Sequence, residues 1–84
     1  MSTLPEFGDV SQLIGEMIGV PEPGPDDSFV ELGGDSLTAL QVAIVAEERW
    51  GAEVDVQEIV VAGTVREIHE LLLASLRNAA PQNT

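Results

Sequence analysis

Residues 29–40 read FVELGGDSLTAL, and they bring one serine, Ser36, behind two glycines and an aspartate to the apparent start of a helix. A hydroxyl placed there could be a nucleophile, a phosphate contact, a helix cap, or a group that another enzyme modifies. Nucleophilic use needs a base within hydrogen-bond reach and a third group to orient that base. The single histidine, His69, falls near the edge of an apolar stripe in a later segment, where a packing role is the better reading. GGDSL lacks the second glycine of the G-x-S-x-G elbow, and no strand precedes it. The lysine and spacing of a phosphate-binding loop are missing. DDSFVELGGDSL does not alternate ligands as a calcium-binding loop does. Trp50 reads as core rather than as a ligand platform. Autonomous catalysis is therefore excluded as the main reading, which leaves a serine presented for modification or one that merely caps. As the residue after Asp35, Ser36 adds little as a cap.

Four apolar-periodic segments must position this serine, and none alternates like a half-buried strand. The first carries Val10, Leu13, Ile14, Met17 and Ile18 on one helical face and stops at Gly19. Thr3 with Glu6 forms one possible capping box for it, and Gly8–Asp9 marks a possible later start. The second runs from Ser36 to about Trp50, with Asp35 as N-cap and Gly51 as stop. A short third follows the Asp55/Glu58 box and contains Ile59, Val60 and Val61. The fourth opens at Thr64 with Glu67 and lines up Val65, Ile68, Leu72 and Leu76. The expected fold is all-α: a small bundle of three longer helices and one short one. Between helices 1 and 2 runs a long connection, Val20 to Asp35, which must be functional or pinned. Phe29 and Leu32 are the residues to pin it, with DDSF as a turn or short helix. The expected organisation is a single domain over 1–84, with a core of about 4–76 and a flexible tail at 77–84.

Composition narrows the partners. The chain has 84 residues and no cysteine, which excludes disulfides and thiolate metal sites. Fifteen carboxylates oppose three arginines, for a formal charge of −12. Nucleic acid and anionic membrane are repelled by such a surface, whereas basic partners are attracted. No apolar run is long enough to span a membrane, and MSTLPEFGDV lacks the features of a signal peptide. The expectation is a cytoplasmic, soluble monomer.

Placing the second segment at about 100° per residue separates two arcs. Ala39, Leu40, Val42, Ala43, Ala46 and Trp50 form the expected core face, interrupted by Glu47. Leu37, Thr38, Gln41, Ile44, Val45 and Glu48 form the other, a mixed surface with three large aliphatics. A helix apolar on both sides needs more cover than so small a bundle offers. The outer arc is thus a candidate docking surface beside Ser36.

FVELGGDSLTALQVA resembles the signature of acyl and peptidyl carrier proteins, the phosphopantetheine-binding family. The resemblance extends over about residues 4–76 and includes GTVREIHELLL, with Gly63 where proline is common in the family. It implies a non-enzymatic carrier with 4′-phosphopantetheine attached covalently to Ser36 by a separate phosphopantetheinyl transferase. The arm would hold an aminoacyl, peptidyl or acyl thioester. Implied partners are an adenylation or other loading enzyme, then condensation, tailoring or thioesterase enzymes. Asp35 and Leu37 match the positions flanking the serine; Asp35 would assist the transferase's metal-dependent chemistry and Leu37 would fill a partner pocket. Fatty-acid carriers are rich in carboxylates on the exposed side of helix 2, and here that side is mostly apolar. The pattern looks more like a peptidyl carrier of nonribosomal peptide synthesis than a polyketide or other acyl carrier. Met1 and the short tails fit a free-standing carrier, though an excised synthetase domain could begin the same way. A helical binding module that never takes the arm and a small serine hydrolase are the alternatives from other classes.

Overall fold

The structure, a computed structural model, describes residues 4–79. It contains α1 (Phe7–Ile18), α2 (Ser36–Trp50), α3 (Val56–Ala62) and α4 (Val65–Ala79). No strand occurs among the described residues, and one isolated antiparallel bridge joins Ser28 to Thr64.

The helix starts follow from side chains that take up orphan backbone donors. Asp35 caps α2, and Gly51 ends it. At α3 the Asp55 N–H donates to the Glu58 carboxylate at 3.0 Å. At α4 the Glu67 N–H donates to Thr64 Oγ1, and the Thr64 N–H donates to the Glu67 carboxylate, both at 3.2 Å. For α1 neither expected start is adopted. Glu6 is the N-cap, and its N–H donates to the Asp9 carboxylate at 3.0 Å. An acidic pair does there what a threonine–glutamate pair does elsewhere, and it also suits the positive end of the helix dipole. Thr3 lies outside the described residues. Helix α4 continues past Leu76 through Arg77 to Ala79, and the rest of the expected tail, 80–84, lies outside the described residues.

Helix α2 packs against α1 and α3, and α4 closes the arrangement against the same two. Val10, Leu13 and Ile14 from α1 meet Val42 from α2, Ile59 from α3 and Leu72 from α4 in one fully buried core. Phe29, also fully buried, brings the long connection into it, and Leu32 packs at its edge.

Backbone bonds pin the connection as firmly as Phe29 does. The first donors of α4 point at it: Val65 N–H donates to Asp27 O at 3.1 Å and Arg66 N–H to Pro25 O at 3.0 Å. Phe29 N–H donates to Gly63 O at 2.7 Å, and Ser11 Oγ donates to Pro23 O at 2.6 Å in a buried bond. The loop carbonyls thus cap α4, so the connection is ordered by a helix end that needs acceptors. The Arg66–Asp26 ion pair at 3.2 Å lies over this junction, exposed on both sides, and adds little.

Candidate functional site

Ser36 sits on a turn built from the core outward. Gly33 has φ of 111°, a region that side chains rarely enter. Gly34 donates its N–H to Phe29 O at 2.8 Å. A β-carbon at Gly34 would lie 2.5 Å from the Phe29 ring, so only glycine lets the chain pass this close. The two glycines therefore do different work, one by dihedral and one by contact. The turn rests on a buried aromatic ring, itself tied to the α3–α4 junction through Gly63.

The chain then enters α2. Asp35 is extended, and one of its carboxylate oxygens accepts from the Thr38 N–H at 2.9 Å and from the Thr38 hydroxyl at 3.0 Å. The Thr38 N–H, followed by the Thr38 hydroxyl, holds the Asp35 carboxyl below its ordinary value of 3.8. With Asp35 serving the cap, Ser36 is the first helical residue and is exposed. A carboxyl depressed in the folded state stabilises fully above its ordinary value and loses that contribution as pH falls through the folded one. Asp35→Ala should therefore lower Tm at neutral pH, the deficit closing below pH 3.8 as wild type loses its charged cap. Asp35→Asn, which still accepts from the backbone, should recover most of the neutral-pH loss without the pH dependence. Thermal melts across the acid range read both.

Among the described residues no side-chain base is hydrogen-bonded to Ser36. His69 Nε2 lies 2.9 Å from Pro5 O. A carbonyl only accepts, so Nε2 is the donor and the ring is tied to the start of the chain's first helix. The imidazole ring meets Phe7 edge-on at 6.0 Å. His69 is a half-buried packing residue, as its place on the apolar stripe implies. No cluster of three or more metal-ligating side chains occurs among the described residues.

The outer arc of α2 is partly as expected. Leu37 is 65% exposed and Ile44 46% exposed, and Gln41 and Glu48 are exposed with them. Two assignments need correction. Leu40, expected in the core, is 43% exposed, and Val45, expected outside, is half-buried against the core. The buried strip is centred on Ala39, Val42 and Ala46; at about 100° per residue Leu40 is roughly 120° from Ala46, outside that strip. Val45 lies on its opposite shoulder. Leu37, Leu40 and Ile44 therefore form one exposed stripe leading away from Ser36. Thr38 is half-buried and its polar groups are engaged by Asp35. Val61 on α3 and Val30 in the connection are also exposed, at 78% and 56%. On α3 Ile59 is fully buried, Val60 half-buried and Val61 exposed, because consecutive helical residues point about 100° apart.

A four-helix fold with a serine presented on a glycine turn, and no base beside it, defines a small helical carrier. Residues 8–72 match the family described as the phosphopantetheine attachment site, and the chain belongs to that family. The family is one of non-catalytic carriers that bear 4′-phosphopantetheine covalently on a serine and work with partner enzymes. The residues here fit such an arm: Ser36 is exposed at the first position of α2, directly after a turn whose two glycines carry no side chains. An isonitrile lipopeptide synthase of Mycobacterium tuberculosis is 32% identical over 82 aligned residues, covering 81% of this chain and 3% of the synthase. A linear gramicidin synthase of Brevibacillus parabrevis is 36% identical over 69 residues, covering 82% of this chain and 1% of that protein. The chain thus spans a few hundredths or less of these relatives. Among solved structures, the actinorhodin acyl carrier protein of Streptomyces coelicolor superposes with TM-score 0.79 at 28% identity, covering 95% of this chain and all of that one. BlmI, a type-II acyl carrier protein of Streptomyces verticillus involved in bleomycin biosynthesis, gives 0.75 at 27% identity, covering 83% and 84%.

Proposed function

We propose that Ser36 is the attachment point of 4′-phosphopantetheine and that the chain is a peptidyl carrier of nonribosomal peptide biosynthesis. The observation that carries the attachment site is the exposed, uncapped, base-free Ser36 on a turn anchored to the core. Ser36 Oγ forms a bond to the β-phosphorus of coenzyme A, the pyrophosphate P–O bond breaks, and the adenosine bisphosphate half leaves. The hydroxyl proton passes to a base on the transferase, since among the described residues no side-chain base is hydrogen-bonded to Ser36. The arm supplies a thiol on which an intermediate is held as a thioester. Asp35 holds the turn in place for the transferase, and Leu37 flanks the arm at the docking surface.

The peptidyl subtype is favoured by the apolar outer face of α2, with Leu37, Leu40 and Ile44 exposed. Thr38, Gln41, Val45 and Glu48 border that stripe. The curated relatives named as peptide synthases point the same way. An acyl carrier is the second reading, favoured by the structural likeness to the two Streptomyces acyl carrier proteins. In either case the unit is a single monomeric carrier domain. No helix among the described residues is long and apolar enough to cross a membrane, and a cytoplasmic setting is proposed.

The test is the intact mass of the protein after incubation with coenzyme A, magnesium and a promiscuous transferase. Wild type gains one phosphopantetheinyl group and Ser36→Ala gains none. A wild type that stays unmodified, while a known carrier is modified in parallel, sinks the attachment site and leaves a binding module. The loaded form then separates subtypes. A peptidyl carrier is charged by an adenylation enzyme with ATP and an amino acid, and an acyl carrier by an acyltransferase with an acyl-coenzyme A.

A further inference from the structure

Helix α1 has a second solvent side that the α2 docking surface does not use. Gly8, Ser11, Gly15 and the C-cap Gly19 recur every three or four residues along it; Gly8 and Gly19 are exposed, whereas Ser11 and Gly15 lie buried under the segment that follows the helix. That segment, Val20–Pro23, folds back beside α1, and a trough of about 800 Å³ lies between them, with Gln12, Glu16 and Glu22 among its lining. No α2 residue lines it.

The wall of the trough is fixed. Ser11 Oγ holds Pro23 O at 2.6 Å, and a β-carbon on Gly15 would collide with Val20 O and stand 3.0 Å from Pro23. Glu22 is held at φ 47°, the one non-glycine residue in the left-handed region among those described. Gly8 is the informative floor residue. Its φ is ordinary, and nothing lies within 4 Å of a β-carbon added there. Glycine weakens a helix relative to alanine, and the fold takes nothing in return at this position. What Gly8 does keep is the open end of the trough.

Charge says what enters. The first 35 residues carry eight carboxylates (Glu6, Asp9, Glu16, Glu22, Asp26, Asp27, Glu31, Asp35) and no basic residue. The three arginines all come later, at 49, 66 and 77. We propose that this trough receives a basic, extended segment of a partner protein, its cationic heads on Glu16 and Glu22 and its smaller apolar side chains against Phe7, Val20 and Pro23. The surface is the electrostatic counterpart of the apolar α2 stripe: it steers and orients a basic partner while α2 supplies apolar contact. It does not depend on modification of Ser36.

The test is a titration of the ¹⁵N-labelled full chain with the blocked peptide acetyl-Arg-Leu-Arg-Leu-Arg-Leu-amide, at low and physiological salt. Expected are shifts confined to the N–H groups of Gly8, Gln12, Gly19 and Glu22, with acetyl-Glu-Leu-Glu-Leu-Glu-Leu-amide giving none. Gly8→Leu, which fills the trough, and the pair Glu16→Gln/Glu22→Gln should each weaken the peptide about tenfold without lowering Tm. The glutamate pair is exposed, so it keeps the test valid if Gly8→Leu disturbs the helix. Shifts spread over all the acidic groups and indifferent to Gly8→Leu would mean general charge attraction and overturn the proposal. So would an absence of binding. Trough shifts that grow with protein concentration alone would assign it to a second copy, and trough shifts on arm attachment would assign it to the cargo; either result also overturns it.

Discussion

Ala46→Asp is expected to leave the chain unfolded at 25 °C, whereas Ile44→Asp, two residues away, leaves it folded. Ala46 is fully buried between helices, in a strip whose other members are Ala39 and Val42. An aspartate there adds volume to a close helix contact and puts a carboxylate where no described donor waits for it. An unpaired buried charge costs several kcal/mol even after relaxation. A domain of this length holds on the order of 5 kcal/mol in total, so one such site is enough. Ile44 is 46% exposed, and its side chain leaves the surface with little change in core packing. Exposed substitutions of that kind usually stay within about 0.5 kcal/mol. The loss at Ile44 falls on partner docking, read as slower loading of the modified carrier. Circular-dichroism melts of the two variants, with loading rates for the folded one, decide the matter. A cooperative melt of Ala46→Asp near wild type would show that the helix faces are assigned the wrong way round.

That contrast also marks where sequence reading succeeded and where it slipped. The starts of α2, α3 and α4 were legible, because Asp35, Asp55/Glu58 and Thr64/Glu67 announce themselves at fixed spacing. The serine turn was legible for the same reason: Gly33, Gly34, Asp35 and Ser36 are residue types chosen by backbone demands. The α2 faces were half legible. Its buried strip is made of alanine and valine, while leucine and isoleucine lie outside, so hydrophobicity by residue type points to both sides. Only the closeness of α2 to α1 and α3, which small residues permit, tells which side is inside. The pinning of the long connection was legible at Phe29 and Leu32 and silent elsewhere. Asp27 O, Pro25 O and Gly63 O hold it through backbone atoms, and a backbone acceptor leaves no trace in residue identity. The acidic start of α1 was missed because Glu6–Asp9 is not the usual pairing of cap residues. Ser75 was missed as well: its hydroxyl donates to Glu53 O at 2.9 Å and accepts from Glu53 N–H at 3.0 Å, clipping the α2–α3 link to α4.

Gly34→Ala should destabilise the protein by about 1–3 kcal/mol, the range for forcing extra volume into a packed core. For a domain of this size that corresponds to a fall in Tm of roughly 5–20 °C. The added methyl meets the Phe29 ring at 2.5 Å, and the ring is fully buried, with no solvent side to retreat to. Gly33→Ala is expected to cost a similar amount by another route. There the nearest heavy atom to a new β-carbon is 3.5 Å away, an ordinary contact, and the penalty lies in φ of 111°; residues held in such regions cost on the order of 1–3 kcal/mol. The two causes separate in a double-mutant cycle with Phe29→Leu. A smaller side chain at 29 makes room for the Gly34→Ala methyl, so the double variant should be more stable than the two single losses predict. It offers nothing to a strained dihedral, so Gly33→Ala with Phe29→Leu should be additive. Modification of Ser36 gives an independent reading, since Gly34→Ala displaces the turn that presents the hydroxyl. Phosphopantetheinyl transfer to Gly34→Ala should slow even below its melting temperature, and Phe29→Leu should restore part of the rate. If Phe29→Leu rescued Gly33→Ala and not Gly34→Ala, the turn would not rest on the aromatic ring, and Ser36 would be positioned by α2 alone.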